Sequence, residues 1–209
     1  MQNEQLKIFD KDGKQQGVAT RKEVHKKGYW HETFHCWFIS SEEGNNHLYF
    51  QLRSAAKKDY PGLLDVTAAG HLLVNESIHD GIREVREELG LNLSINDLFS
   101  LDVIKDCLVG EEFFDNEFCH VFLYEYQHRF NDFNLQKEEV SGIVKVKVID
   151  FQELWFGNKK DILVEGFEVK ESGEHVKIQK LVTKQGFVPH EDSYIERVLD
   201  LIKKYIYLK

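Results

Sequence analysis

Residues Gly70 to Leu91, reading GHLLVNESIHDGIREVREELGL, constrain this chain more than any other stretch. Ile78, Ile82, Val85 and Leu89 fall at spacings of four, three and four, which predicts a helix with one apolar stripe. Ser77 or Asn75 stands where a start cap belongs, and Gly90 where a helix ends. On such a helix Glu84, Glu87 and Glu88 lie at i, i+3 and i+4 and share a face away from the stripe. Three carboxylates so placed repel unless a cation sits between them, and carboxylate oxygens suit Mg2+ or Mn2+. Arg83 can reach Glu87 one turn on, and can also reach back to Glu76.

The rest of the chain bounds what this helix can serve. With 209 residues, 42% of them apolar, it can bury one core with an appendage. A net charge of −9 argues against a nucleic-acid polymer as partner, but a phosphorylated small molecule is compatible because a bound divalent cation reverses the local field. No apolar run reaches membrane-spanning length, so no membrane is expected. The N-terminus, MQNEQLKIFDKDGK, is polar and unlike a signal peptide. Cys36, Cys107 and Cys119 lack metal-site spacing and read as reduced thiols, which fits a cytoplasmic protein. A homodimer is compatible with the sequence, which leaves oligomeric state open.

In order, residues 5–19 read as a hairpin and 21–27 as a charged helical link. Strands are expected at 31–40, 47–53, 63–67, 98–109, 117–127 and 142–150, with the turn GEEFFDN between the fourth and fifth. A helix or turn starts at Phe151, a hairpin spans 163–183, and 192–208 closes the chain as an amphipathic helix. The fold class is α+β, with helices packed on a sheet.

The opening stretch resembles the signature of the Nudix hydrolases: Gly, five residues, Glu, seven residues, then Arg-Glu-apolar-x-Glu-Glu-x-Gly-apolar. Gly70, Glu76, Arg83, Glu84, Val85, Glu87, Glu88, Gly90 and Leu91 match by type. Only six residues separate Glu76 from Arg83, which we read as a one-residue deletion that tightens the loop and leaves the helix in register. Counting back from Arg83 instead puts Asn75 and Ala69 in the Glu and Gly places. The order of features from about residue 5 to 157, including DKDGKQQG and QLRSAAKKDYPGLLDVTAAGH, is similar to the isopentenyl-diphosphate isomerase branch of that family. The resemblance implies a Nudix-type α/β/α sandwich with a mixed central sheet over 1–157, N-terminal hairpin included. It leaves 158–209 as a C-terminal hairpin-and-helix extension packed on that domain.

The resemblance further implies a divalent metal, Mg2+ or Mn2+, held by Glu84, Glu87 and Glu88, with the Gly70 carbonyl as an added ligand. Arg83 would orient the carboxylates. Residues resembling His25, His31, His71, Asp115 and Glu117 hold a metal in the isomerases and give a candidate second site here. Glu117 is also a candidate general base, with Glu111, Glu112, Glu138 and Glu139 as rivals that read as surface charge. Arg53, Lys57 and Lys58 are candidates to bind phosphate. Tyr60, Trp30, Phe113 and Phe114 could stack on a base or hold an apolar tail. His35 reads as core or groove lining.

The function expected is hydrolysis of a phosphoanhydride in a nucleoside-diphosphate-type or other X-linked diphosphate by metal-activated water. Isopentenyl-diphosphate isomerisation is the first alternative. The position of the isomerase's catalytic cysteine holds Ala69, which can neither donate nor accept a proton. A non-catalytic module that binds a diphosphate ligand is the second, and a binder has little need of three clustered carboxylates.

Overall fold

The computed structural model describes residues 4–110, 113–127 and 130–209, so Glu111 and Glu112 lie outside the described residues. The elements, in chain order, are β1 (Gln5–Phe9), β2 (Gln15–Thr20), α1 (Arg21–Lys27), β3 (Trp30–Glu42), β4 (Asn45–Arg53), β5 (Leu64–Val66) and β6 (Ala68–His71). A 3-10 turn (Ile78–Ile82) and α2 (Arg83–Leu89) follow, then β7 (Phe99–Val109), β8 (Phe114–Glu125) and β9 (Val140–Lys147). The chain ends with α3 (Val148–Trp155), β10 (Asp161–Val169), β11 (His175–Thr183) and α4 (Asp192–Tyr207).

Strand β3 is the spine. It is parallel to β8 and antiparallel to β4 and β6, which makes the sheet mixed. From Thr33 to Ser40 it is buried on both faces because both faces are covered. Phe34, Cys36 and Phe38 pack with Val85 and Leu89 of α2 on one side. Trp37 and Ile39 pack with Phe151 and Leu154 of α3 and Ile195, Val198 and Leu199 of α4 on the other. The period-2 alternation of one strand thus builds both layers of the α/β/α sandwich. Hairpin β10–β11 continues the sheet beyond β9, and α4 seals the larger core with Tyr194, Ile195, Val198, Leu199 and Ile202.

Several boundaries differ from the sequence expectation. The strand expected over 142–150 ends at Lys147, because Val148, Phe151 and Leu154 instead form the buried stripe of α3. Strand β8 begins at Phe114, so Asp115 and Asn116 sit in the sheet rather than in the turn. Gly70 lies within a separate short strand, β6, that pairs with β3.

Glycines make the β9–β10 junction possible. Gly166 stands opposite Val144, and a Cβ there would lie 2.0 Å from the Ile143 carbonyl oxygen. Backbone cannot yield as a side-chain tip can. Gly166→Ala is therefore expected to cost about 3 kcal/mol of unfolding free energy in urea titrations, with β10–β11 the first segment to lose amide protection.

Candidate active site

The local sequence sets up the motif in four steps. The Asp80 carboxylate accepts from Ser77 N–H at 2.8 Å, so Ser77, not Asn75, starts the 3-10 turn that feeds α2. Val85 and Leu89 go into the core, as the stripe requires. Gly90, at φ 72°, ends the helix by donating to the Arg86 carbonyl. Glu84, Glu87 and Glu88 then all line one cleft of about 560 Å³.

The short loop keeps its glutamate. Arg83 Nε and Nη2 donate to the two oxygens of Glu76 at 2.5 and 3.0 Å, and Nη2 also donates to the His71 carbonyl at 3.1 Å. Glu76 in turn accepts from Leu73 N–H at 2.8 Å. The deleted residue is absorbed before α2, and Arg83 locks the loop to the helix. Its Nη1 reaches Glu84 at 2.5 Å and Glu87 at 3.2 Å, so it orients two of the three helix carboxylates.

Electrostatically the helix face is frustrated. Glu88 is 5% exposed and accepts from Gln51 Nε2 and Ala69 N, both at 3.2 Å. Burial, and then the Glu84 carboxylate, hold its carboxyl well above the usual range. Burial likewise pushes Glu84 up to about 7, with Glu87 adding to the rise and Arg83 opposing it. A divalent cation between these oxygens would relieve both costs, so the donor set fits the metal implied by the motif.

A second cluster adjoins the first. His25 of α1, His31 of β3, His71 of β6 and Asp115 of β8 each offer one ligand atom, all within 4.8 Å of one another. Helix α1 sets His25 through the Thr20–Glu23 capping box and the left-handed Gly28. His31 is fully buried; burial lowers its pKa, but the Asp115 and Glu117 carboxylates raise it above the usual value. Its Nδ1–H donates to the Tyr29 carbonyl at 3.1 Å, which turns Nε2 toward Asp115. That nitrogen and Asp115 Oδ1 stand 3.3 Å apart, both buried, and neither has a hydrogen-bond partner. His25 Nε2 lies 3.2 Å from the same oxygen, and three imidazoles converging on one carboxylate are a transition-metal donor set.

Glu117, 8% exposed, stands between this cluster and His35. Its Oε1 lies 3.9 Å from His31 Nε2, and its Oε2 lies 3.4 Å from His35 Nε2. Trp37 can only donate, and it gives Nε1–H to the Tyr194 hydroxyl at 3.2 Å. The phenol hydroxyl is then free to donate to His35 Nδ1 at 2.6 Å, which turns the other ring nitrogen, Nε2, toward Glu117.

No family model matches the sequence. An uncharacterized Nudix hydrolase of Clostridium acetobutylicum is 41% identical over 200 residues, covering 95% of this chain and 97% of its own. The chain belongs to the Nudix hydrolases. An isopentenyl-diphosphate Delta-isomerase of Mycolicibacterium vanbaalenii is 27% identical over 117 residues, covering 55% of this Nudix chain and 63% of its own, in keeping with the isomerase-like branch. A crystal structure of a Deinococcus radiodurans protein covers 84% of this chain and 93% of its own, with a TM-score of 0.53 at 17% identity, and shares the fold.

In this Nudix hydrolase Arg53 and Lys57 line the cleft as expected, but Lys58 is exposed and outside its wall. The turn at Ser54–Lys57, closed by Lys57 N–H on the Ser54 carbonyl, separates the two lysines. Glu139, expected at the surface, is a wall residue that ion-pairs with Lys57, whereas Glu138 is exposed. Tyr60 and Phe113 line the cleft with ring centroids 6.4 Å apart. Trp30 instead packs on Phe118, and Phe114 is exposed outside the wall. The sequence reading missed Asp65, which is buried, and His190, whose side chain is 8% exposed; both are in the wall. The only signal for His190 was its place just before the last amphipathic helix.

Gly70 has a spatial reason to be glycine. A Cβ on it would fall 2.1 Å from Glu84 Oε1 and 2.2 Å from Glu84 Cδ. Gly70→Ala should displace the Glu84 side chain and cut turnover about 100-fold, with a melting temperature within a few degrees of wild type. An alanine variant of normal activity would show that the position of Glu84 does not matter.

Proposed function

We propose that this protein is a metal-dependent pyrophosphohydrolase that splits a phosphoanhydride bond in a nucleoside-diphosphate-type or other X-linked diphosphate. The observation that carries the reading is the convergence of Glu84, Glu87 and Glu88 with Arg53 and Lys57 on one cleft. Glu84, Glu87 and Glu88 are the proposed ligands of Mg2+ or Mn2+, with the Gly70 carbonyl beside them. His25, His31, His71 and Asp115, with Glu117 adjoining, form the proposed second site. A divalent cation, when bound, neutralises phosphate charge and acidifies water. The chain supplies the rest. Arg53 and Lys57 bind phosphate oxygens as fixed cations, and Arg83 holds Glu84 and Glu87 in place. Glu117 accepts the proton of the attacking water at Oε1, because Oε2 is engaged by His35. Water oxygen bonds to phosphorus as the bridging P–O bond breaks, and the departing phosphate takes the electron pair.

Ala69 favours hydrolysis over alkene isomerisation. It stands in the cleft wall with a methyl side chain, and its backbone N–H donates to Glu88. Cys119 does not replace the missing thiol. It is buried beside Glu117 with its pKa raised by that burial, and it is not a wall residue. We read residues 1–157 as the Nudix domain and 158–209 as its extension.

The test is a panel of nucleoside-diphosphate conjugates and other diphosphates incubated with Mg2+, with products identified by mass spectrometry. Phosphate-ester products absent from Glu87→Gln support the reading. Binding without turnover across the panel would contradict it.

A further inference from the structure

The cleft wall contains a charged group contributed from far along the chain. Segment 187–191 lies beside β5, where Phe187 forms a parallel bridge with Leu64 and Val188 N–H donates to the Leu64 carbonyl at 2.8 Å. Phe187 anchors the segment on Phe50 and Phe151, with ring centroids 5.1 and 5.4 Å away. This register delivers His190 to Asp65.

Both nitrogens of the His190 ring are used. Nε2–H donates to Asp65 Oδ1 at 3.0 Å and Nδ1–H to Asp106 Oδ2 at 2.6 Å. An ionised carboxylate only accepts, so the ring carries both protons. Burial opposes that charge, but the two aspartates overcome it and raise the His190 pKa to about 10. Asp106 is fully buried and its other oxygen accepts from Glu191 N–H at 2.9 Å, so the far end of the link is fixed.

The near end meets the proposed phosphate-binding arginine. Asp65 Oδ2 accepts from Arg53 Nη1–H at 2.7 Å, and Arg53 Nε and Nη2 donate to the Asp59 carbonyl at 3.2 and 2.8 Å. A guanidinium has five N–H groups. These bonds leave one free on each terminal nitrogen, in a residue that lines the cleft.

We propose that His190 is a positioning residue: through Asp65 it holds the Arg53 guanidinium in the orientation that receives a phosphate group, so the C-terminal extension completes the substrate-binding wall. What Arg53 receives rests on the diphosphate reading. Without His190, two buried carboxylates lose a shared cation. Arg53, the cation already bound to one of them, is drawn further into their service and away from ligand.

The test is a double-mutant cycle of His190→Gln, Arg53→Gln and the double variant. Two readouts are used: kinetics on whichever diphosphate the wild type hydrolyses, and calorimetric titration with methylenediphosphonate and Mg2+. His190→Gln should raise KM and the diphosphonate Kd about tenfold or more, with kcat within about threefold. In the Arg53→Gln background it should add almost nothing, because the two residues act as one unit. A loss confined to kcat, or an effect that adds in full to Arg53→Gln, overturns the proposal. If the wild type hydrolyses no diphosphate, the functional reading falls while the binding cycle still judges the link. A wild type that binds no diphosphonate overturns the link as well. If His190→Gln does not fold, Asp106→Asn takes its place, since it loosens His190 without touching Asp65 or Arg53. The same pattern, reduced in size, is expected.

Discussion

Glu88→Gln should lower kcat about 1000-fold and at the same time make the metal-free protein more stable at alkaline pH. The activity loss follows from removing one of three carboxylates that hold the proposed cation. That costs at least as much as losing one preorganised group that stabilises charge in a transition state. The stability gain follows from the crowding of carboxylates on the helix face. Burial and Glu84 keep the Glu88 carboxyl well above its ordinary value, and burial puts Glu84 at about 7. An acid raised in this way binds more protons folded than unfolded. Stability is therefore lost as pH rises from the unfolded value near 4.5, and for Glu84 the loss is complete a little above pH 7. A carboxamide does not titrate and escapes this loss, while its oxygen can still accept from Gln51 and Ala69. In urea titrations with EDTA, the variant should match wild type near pH 4 and exceed it at pH 8, with the gap widening as pH rises between them. Mg2+ should raise the melting temperature of wild type but not of the variant. A variant less stable than wild type at pH 8 would show that Glu88 is a structural carboxylate.

His190→Gln should be the most destabilising side-chain change outside the apolar core. His190 sits between Asp65 and Asp106, and removing it leaves two buried carboxylates short of a partner, a loss of about 4 kcal/mol. The sign of its pH dependence is opposite to that of an acid held down by a partner. A histidine raised to about 10 contributes its full stability below the unfolded value of 6.5 and loses it as pH climbs to about 10. Asp65 is held well below the carboxylate range by His190 and Arg53, against the effect of burial. Its contribution is present above 3.8 and is lost as pH falls below that value. The gap between wild type and variant should thus be widest between about pH 4 and 6.5 and should close near pH 10. A gap that is constant from pH 6 to 10 would mean the variant loses packing rather than charge.

The parts of the site that follow from local periodicity were legible in the chain. Ile78, Ile82, Val85 and Leu89 define the buried stripe, and the stripe dictates where Glu84, Glu87 and Glu88 must face. Alternation along β3 put His31, Thr33 and His35 on one face in the same way. Pairings set by register between distant strands were not legible. Asp65 and His190 are 125 positions apart, and the docking of segment 187–191 beside Leu64 brings them together. Glu139 looked like surface charge because its partner, Lys57, lies on another loop 82 positions away. Lys57 and Lys58 are neighbours of one chemical type, and only the turn at Ser54 decides which of them meets the cleft. The short spacing after Glu76 looked like a threat to the motif. Arg83 reaches both oxygens of Glu76 because its side chain spans what the loop lost.

The proposed attack of water on phosphorus at the glutamate face of the cleft can be read from turnover of a diphosphate panel in 18O-labelled water with Mg2+, with products identified by mass spectrometry. Wild type should place one 18O atom in a single phosphate product per turnover, and Glu88→Gln none above background. Solvent deuterium entering isopentenyl diphosphate with its P–O bonds intact, or equal 18O incorporation by wild type and Glu88→Gln, would contradict that mechanism.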